Sequence, residues 1–137
     1  SFGNLSIEIS RSGKIDQFLW GEANLQKTKT NDSRLSPGWN HIVYTFGKEN
    51  DQVLSKLYLN GEVINVAKPK WTQSLSMQNT IIGCFHTKAL GYFGGINGKL
   101  DELIIWKKTL DGHAIKKMYR SGLPMFNMEQ VSFCLNY

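Results

Sequence analysis

Residues 53–59 (VLSKLYL) lead into Asn60-Gly61 and continue as residues 62–67 (EVINVA). Both residues of an Asn-Gly pair tolerate the positive φ angles that a two-residue type I′ turn requires. The flanking segments are rich in Val, Ile, Leu and Tyr, a composition that suits a pleated sheet. The stretch therefore predicts two adjacent antiparallel strands. The second ends at residues 68–70 (KPK), because proline cannot donate a hydrogen bond to a neighbouring strand.

Short alternating segments upstream of this hairpin continue the same pattern. Residues 5–10 alternate Leu or Ile with polar residues, and a polar turn separates them from residues 15–20, so these two segments form a second predicted hairpin. Residues 21–38 are polar and close on Pro37-Gly38, a pattern typical of a loop. Residues 39–46 (WNHIVYTF) are aromatic and β-branched, which predicts a central strand.

The downstream half contains further strands and one helix. Residues 79–84 and 99–106 have strand character, and the tail from Met125 is predicted to return as a strand through Val131 to Leu135. Residues 85–98 hold four glycines and are predicted to be a loop. They lack the preceding strand and following helix of a phosphate-binding loop, so a nucleotide site is not favoured.

Residues 111–124 predict one short helix. Asp111 is a suitable N-cap, and Ile115, Met118 and Tyr119 have the spacing of a single apolar stripe. Gly122, followed by proline, ends the helix.

Length and composition indicate one globular domain. The chain has 137 residues, of which 41% are hydrophobic and 12% aromatic, and its formal net charge is +5. It holds no run of the roughly 20 apolar residues that a membrane-spanning helix needs, so direct membrane insertion is not predicted. The chain opens on Ser1 and closes on Tyr137, which favours a part of a longer polypeptide.

Two cysteines and two glycosylation signals favour an extracellular location. A disulfide between Cys84 and Cys134 would close a loop of about 50 residues and stabilise the fold by roughly 4 kcal/mol. One alternative is a pair of buried free thiols in an intracellular protein. Another is a bridge from either cysteine to a residue upstream of this chain. Asn4 and Asn31 each begin an Asn-x-Ser triplet that can accept an N-linked glycan.

Five ordered segments together resemble the laminin-G-like/pentraxin superfamily, whose members have the concanavalin A-like jelly-roll fold. The Asp-Glu-x-x-x-Trp ending and the short helix are similar to the pentraxin-type modules of adhesion G-protein-coupled receptor ectodomains. The segments are residues 38–46 (GWNHIVYTF), 57–63 (LYLNGEV), 81–83 (IIG), 98–106 (GKLDELIIW) and 110–119 (LDGHAIKKMY).

The resemblance implies an antiparallel β-sandwich of two sheets with one short C-terminal helix. Complete members carry several strands before the Trp-x-His motif, whereas only 38 residues precede Trp39 here. Residues 1–137 are therefore expected to form the C-terminal two-thirds of a complete domain that lacks one or two N-terminal strands. An upstream segment or a partner chain would supply these strands, or the variant is trimmed and does without them.

Catalytic chemistry is not favoured by the acidic residues or the histidines. Asp101-Glu102 is the only adjacent acidic pair in a predicted strand, and neighbours in a strand point to opposite faces, so the two cannot act together on a glycosidic bond. One of the two is expected to order a loop instead. The resemblance implies that acidic residues here can lie near calcium, with Asn97 and Asp101 as candidate ligands. The three histidines, at positions 41, 86 and 113, have no metal-ligand spacing.

A cluster of basic residues stands at the end of the last central strand and on the outer face of the helix. Folding should gather these side chains into a positive patch that a sulfated glycosaminoglycan would recognise, although a merely solvated helix face explains the same pattern. No nucleic-acid motif is evident, so nucleic acid is not a predicted partner. The residues are Lys107, Lys108, Lys116, Lys117 and Arg120.

The sequence thus predicts a non-catalytic recognition or adhesion module of a secreted or cell-surface protein, with a glycan or an extracellular protein as partner. Two alternatives stay open. One is a binding module or catalytic domain of a carbohydrate-active enzyme, and the other is a structural domain that completes a larger ectodomain. No cofactor is required by the pattern, and calcium is the one candidate.

Overall fold

A computed structural model of the protein describes residues 4–20, 25–28, 33–69, 80–87, 89–122 and 131–135. Every pair of strands in these ranges is antiparallel, and one short helix lies near the C-terminal end. The predicted all-β class is therefore confirmed. The elements are β1 (Asn4–Ile9), β2 (Ile15–Trp20), β3 (Leu25–Thr28), β4 (Ile42–Glu49), β5 (Gln52–Leu59), β6 (Glu62–Ala67), β7 (Phe85–Thr87), β8 (Gly91–Phe93), β9 (Leu103–Trp106), α1 (Gly112–Ser121) and β10 (Val131–Leu135).

Strands β4, β5 and β6 form the central sheet, in that order. The predicted β5–β6 hairpin is confirmed. Asn60 and Gly61 form its turn with φ angles of 52° and 81°, the left-handed values that a type I′ turn needs. The register shifts between Leu57 and Tyr58, which marks a β-bulge in the pairing with β6. β6 ends at Ala67, directly before the predicted breaker at Pro69.

Strands β1, β2 and β3 form the N-terminal sheet, in that order. The predicted β1–β2 hairpin is confirmed, with Ile9 opposite Ile15 at its closed end. The prediction that residues 21–38 are mostly loop was wrong in one part, because β3 pairs with residues 17–20 of β2. Its sequence, LQKT, is largely polar. An edge strand needs no continuous apolar pattern, so the sequence of β3 contains little that would predict a strand.

The hydrophobic core lies between the N-terminal sheet and the central sheet. Ile15 of β2 and Leu57 of β5 are both fully buried, and Leu59 packs with them. At roughly 25 cal/mol per Å² of apolar surface, burying a side chain of this kind stabilises the fold by about 1.5–3 kcal/mol. The residues around these three are Ile7, Leu35, Ile42, Tyr44 and Ile64.

A buried polar network also connects the two sheets. The Gln17 side chain donates a hydrogen bond of 3.0 Å from Nε2 to Ser55 Oγ, and Asn65 Nδ2 donates one of 3.0 Å to Gln17 Oε1. Gln17 and Ser55 are both fully buried, so breaking either bond would leave a buried polar group without a hydrogen-bond partner, because water cannot reach it. The Tyr44 hydroxyl lies beside this pair outside hydrogen-bond geometry, and burial raises the pKa of Tyr44 to about 12.

The central strand begins later than the pattern 39–46 predicts, because an asparagine holds the preceding corner. Asn40 Oδ1 accepts a 3.0 Å hydrogen bond from the Ser36 backbone N–H. Its Nδ2 donates to the carbonyls of Ser36 and Gly38, at 2.8 and 3.0 Å. These three bonds give residues 36–40 a fixed non-strand conformation, so β4 starts at Ile42.

Three further predictions in the C-terminal half require correction. Residues 80–84 form no strand. The region predicted as a glycine loop contains the short hairpin of β7 and β8. β9 is also shorter than the predicted 99–106 and begins only at Leu103. The predicted tail strand is confirmed as β10, which pairs with β9. Glycines interrupt the apolar alternation in this part, so strand boundaries were poorly defined.

Across the ranges given above, no helix combines the length and the apolar character needed to cross a bilayer.

Candidate functional site

Helix α1 begins at a capped N-terminus, as predicted. Asp111 Oδ1 accepts a 2.8 Å hydrogen bond from the backbone N–H of Ala114, and the Asp111 carbonyl accepts from Ile115 N at 3.1 Å. A cap of this type stabilises a helix by about 1 kcal/mol. At the other end, Arg120 lies in the last turn, where a positive charge complements the helix dipole. Gly122 follows with a φ of 77° and ends the helix.

The apolar face of α1 packs against the rest of the domain. Ile115 is fully buried and Met118 is 8% exposed. The close approach depends on a glycine in the β5–β6 turn. A Cβ added at Gly61 would lie 3.2 Å from the Tyr119 side chain and 3.3 Å from Lys116 Cα. The hairpin turn and the C-terminal half of the helix are therefore in direct contact.

His41 connects the end of the helix to the same turn. Its ring stacks on Tyr119 with a centroid distance of 6.1 Å and an interplanar angle of 24°. Its backbone N–H donates to Asn60 Oδ1 at 2.9 Å, and its carbonyl accepts from Asn60 N at 2.8 Å. Burial lowers the pKa of His41 below its ordinary value, and the negative charge of Glu102 only partly offsets this effect.

Acidification should therefore destabilise the contact between helix and turn. His41 in the folded protein takes up a proton less readily than in the unfolded chain, so its contribution to stability is present above about pH 6.5 and is lost as the pH falls through its lowered folded pKa. Urea unfolding followed between neutral and mildly acidic pH should show a stability that declines as the pH falls through this window. In His41→Phe, which keeps the stacked ring but cannot titrate, that decline should be smaller.

The matched control is His113→Phe, because His113 is an exposed histidine of helix α1. This variant should keep the decline in stability that the wild type shows. The Lys116 hydrogen bond also lowers the pKa of Glu62, but that carboxylate acts in a separate window that begins below about pH 4.5. An unchanged pH profile in His41→Phe would contradict the assignment.

The opposite side of α1 carries the predicted basic side chains. Lys116, Lys117 and Arg120 stand at positions that share one helix face, and His113 precedes them with the matching i, i+3, i+4, i+7 spacing. His113, Lys117 and Arg120 are exposed, and Lys116 is half-exposed. We call these four residues the cationic face. His113 was not predicted to belong to the patch, although its spacing alone could have placed it there.

One member of the cationic face is held by a carboxylate. Lys116 Nζ forms an ion pair with Glu62 Oε1 at the start of β6. Arg120 lies close enough to Glu62 for its charge to lower the pKa of that carboxyl as well. Lys117 has no ion-pair partner among the described residues. Lys117 and Arg120 thus present most of the available positive charge on this face.

Lys107 and Lys108 stand apart from the other three predicted basic residues. Both are exposed and follow β9. The next residue, Thr109, donates a 3.1 Å hydrogen bond to the Phe46 carbonyl, which fixes this segment against β4, an edge strand of the described central sheet. Helix α1 then extends about 15 Å toward the β5–β6 turn, at 1.5 Å per residue. The five predicted residues therefore come from two segments, the residues after β9 and helix α1, and their assembly into one patch stays a prediction.

Comparison with known protein families assigns the chain to one of them. The family described as the concanavalin A-like lectin/glucanases superfamily, Laminin_G_3, matches residues 1–116. The chain belongs to the concanavalin A-like lectin/glucanase superfamily. The match includes the N-terminal sheet as well as the segments from residue 38 onward on which the predicted resemblance was based. The narrower likeness to adhesion-receptor modules stays a prediction.

Two further comparisons concern curated proteins and solved structures. Among curated proteins, none matches the chain. Among solved structures, it is similar to an S-layer domain-containing protein (residues 221–444) from Clostridium thermocellum ATCC 27405, with 17% sequence identity and a TM-score of 0.48. The alignment covers 84% of this chain and 60% of that one.

The acidic pair of this concanavalin A-like domain lies in a loop. Asp101 and Glu102 precede β9 and are exposed, so the prediction that they belong to a strand was wrong. Asp101 Oδ1 accepts a 2.8 Å hydrogen bond from the Glu102 backbone N–H, which is the predicted loop-ordering role for one of the two acids. Glu102 has a φ of 52°, an uncommon conformation for a residue other than glycine.

The candidate calcium ligands lie in the same exposed region. Asn97 and Asp101 both belong to the loop between β8 and β9. Among the described residues, no three His, Cys, Asp or Glu side chains are grouped as a metal would require. The calcium site therefore stays a prediction.

The remaining predicted sites fall partly outside the described residues. Cys84 is a half-buried thiol without a bridge, while the side chain of Cys134 in β10 is not described, so their disulfide stays a prediction. Asn4 begins β1, but its side chain is also outside the description, and Asn31 lies outside it altogether. Both glycosylation sites therefore stay predictions.

Proposed function

We propose that this domain is a non-catalytic recognition module of a secreted or cell-surface protein, and that it binds a sulfated glycosaminoglycan or a similar polyanionic glycan. The cationic face of α1 would make the main contact, with Lys107 and Lys108 extending it along one direction. Polyanionic glycans are linear and carry repeated charges, so a strip of basic side chains is a suitable partner for them.

The observation that supports the proposal most is the division of α1 into two faces. Ile115 and Met118 anchor the helix in the core, and Asp111 caps it, so the opposite face has a fixed geometry. The helix backbone that carries the basic side chains therefore needs no ordering step before a ligand binds. A rigid surface loses less conformational entropy on binding than a mobile one.

The superfamily contains both sugar-binding modules and glycan-cleaving enzymes, and the acidic residues support the binding role. Hydrolysis of a glycosidic bond uses two carboxyl groups on either side of the bond. Asp101 and Glu102 are neighbours in an exposed loop, and Asp101 is engaged by the adjacent backbone. Incubation with defined oligosaccharides should therefore leave them intact, and the appearance of cleavage products would contradict the non-catalytic assignment.

Charge reversal on the cationic face tests the proposal directly. The double variant Lys117→Glu/Arg120→Glu should weaken binding to immobilised heparin by roughly tenfold to a hundredfold at low salt. Each exposed ion pair contributes up to about 1 kcal/mol, and reversal adds a repulsion of similar size. The readout is the salt concentration needed for elution, together with the dissociation constant at fixed salt.

The matched control is Arg11→Glu/Lys99→Glu, which changes the net charge equally. Both residues are exposed and neither belongs to α1, since Arg11 lies in the β1–β2 turn and Lys99 in the loop before β9. Equal weakening in the two double variants would mean that only the overall charge matters, and the assignment to α1 would then be wrong. A third variant, Glu62→Gln, should strengthen binding because it releases Lys116 from its ion pair.

We also propose that a segment upstream in the same protein, or a partner chain, completes the sandwich, with residues 1–137 as the C-terminal two-thirds of a full domain. Exposed apolar side chains support this part of the proposal. Val63 and Val66 on β6, an edge of the described central sheet, are 50% and 53% exposed, and Trp39 is 69% exposed.

A further inference from the structure

Two Asn-Gly pairs in this chain have very different surroundings. Asn60-Gly61 forms the turn between β5 and β6, whereas Asn97-Gly98 lies in the loop between β8 and β9. Asparagine followed by glycine is the pair most open to one particular side reaction, because glycine has no Cβ to block attack on the preceding side chain. The structure therefore contains one exposed and one constrained copy of the same reactive dipeptide.

The reaction is an intramolecular substitution followed by hydrolysis. The backbone nitrogen of the glycine loses its proton and attacks the asparagine side-chain carbonyl carbon. The new C–N bond closes a five-membered succinimide, and the side-chain nitrogen leaves as ammonia. Water then adds to one of the two ring carbonyls and opens the ring. One opening yields aspartate and the other yields isoaspartate, in which the main chain runs through the side-chain carbon.

Asn97 has the freedom that ring closure requires. Residues 94–100 are all exposed and belong to no helix or strand. Within the described part of the chain, no hydrogen bond or ion pair holds the Asn97 side chain. Gly98 is not constrained to a left-handed conformation, and the nearest atom to a Cβ placed there is a flexible Ile96 methyl group at 3.7 Å.

Asn60 is restrained at both polar atoms of its side chain. Its Oδ1 accepts from the His41 N–H at 2.9 Å, and its Nδ2 donates to Asn40 Oδ1 at 3.2 Å. Its backbone N–H is also bonded, to the His41 carbonyl at 2.8 Å. Gly61 is buried against Tyr119 and has a φ of 81°. Attack on the Asn60 side chain would require the turn to open first.

We propose that Asn97 is a site of spontaneous deamidation, and that Asn60 is protected from the same reaction by the fold. Conversion at Asn97 adds a carboxylate to the loop that carries Asp101 and Glu102, and it lowers the positive net charge of the protein. The isoaspartate product also lengthens the main chain of this loop. The domain therefore contains a position at which its charge and loop geometry change with age.

Timed incubation of the folded protein in mildly alkaline buffer tests the proposal. Peptide mapping by mass spectrometry should show deamidation at Asn97 on the order of a hundredfold faster than at Asn60, because three hydrogen bonds must break before Asn60 can react. In denaturant the two rates should become similar, since both dipeptides are then unconstrained. Chromatographic separation of the aspartate and isoaspartate peptides identifies the succinimide route.

Two variants separate the chemistry from the fold. Gly98→Ala should slow the reaction at Asn97 without unfolding the protein, because the added Cβ makes only ordinary contacts. Asn60→Asp should instead disturb the turn, because an aspartate has no amide to donate to Asn40. Equal rates at the two sites in the folded protein, or no conversion of Asn97 over a period in which the denatured chain converts, would overturn the proposal.

Discussion

Leu57→Ala should lower the free energy of unfolding by about 2–5 kcal/mol, the range for large-to-small changes at buried leucines. Leu57 is fully buried and packs with Ile15 and Leu59 where the N-terminal sheet meets the central sheet. Removing its side chain leaves a cavity that both sheets would have to close. A loss of this size is a large share of the 5–15 kcal/mol that typically stabilises a domain.

Urea unfolding monitored by tryptophan fluorescence and circular dichroism measures this loss. Leu90→Ala is the control, since Leu90 is 72% exposed and the same atoms are removed from a position near water. That variant should change stability by less than about 0.5 kcal/mol. Similar stability losses in the two variants would mean that the two sheets do not share a core at Leu57.

Gly47→Ala should lower the free energy of unfolding by about 1–3 kcal/mol through overpacking. A Cβ on Gly47 would lie 2.2 Å from Thr109 Oγ1 and 3.2 Å from Thr109 Cβ. The clash would push away the segment that leads into α1 and would break the bond from Thr109 to the Phe46 carbonyl. We therefore expect the helix to become less tightly held and heparin binding to weaken with it.

Gly95→Ala is the matched control, because the nearest atom to its added Cβ is the Gly83 carbonyl oxygen at an ordinary 3.9 Å. Combining Gly47→Ala with Thr109→Ala should recover part of the loss, since the clashing hydroxyl is then absent. The two changes should be non-additive, as expected for residues in contact. A Gly47→Ala protein as stable as the wild type would show that residue 109 does not lie against β4.

Local chemistry explains which elements could be predicted from the sequence. The β5–β6 hairpin depends on Asn60-Gly61, and α1 depends on the Asp111 cap and a regular apolar stripe. Each of these signals lies within a few residues. The short strands β3, β7 and β8 were missed because a polar edge strand and two three-residue strands in a glycine-rich segment have no comparable local signature.

Long-range contacts explain why the candidate site was predicted only in part. Helical spacing identifies Lys116, Lys117 and Arg120 on one face. The pairing of Lys116 with Glu62 joins residues that are 54 positions apart. It depends on where the β5–β6 turn meets the helix, and this follows from the sheet register and from the small size of Gly61. No short pattern in the sequence encodes that contact.

Nuclear magnetic resonance titration of the labelled protein with a sulfated oligosaccharide tests the account most directly. The largest amide and side-chain shifts should fall on α1, at His113, Lys117 and Arg120, with smaller shifts at Lys107 and Lys108, and the oligosaccharide should stay intact. Shifts confined to the N-terminal sheet or to the loop before β9, or a cleaved oligosaccharide, would contradict it.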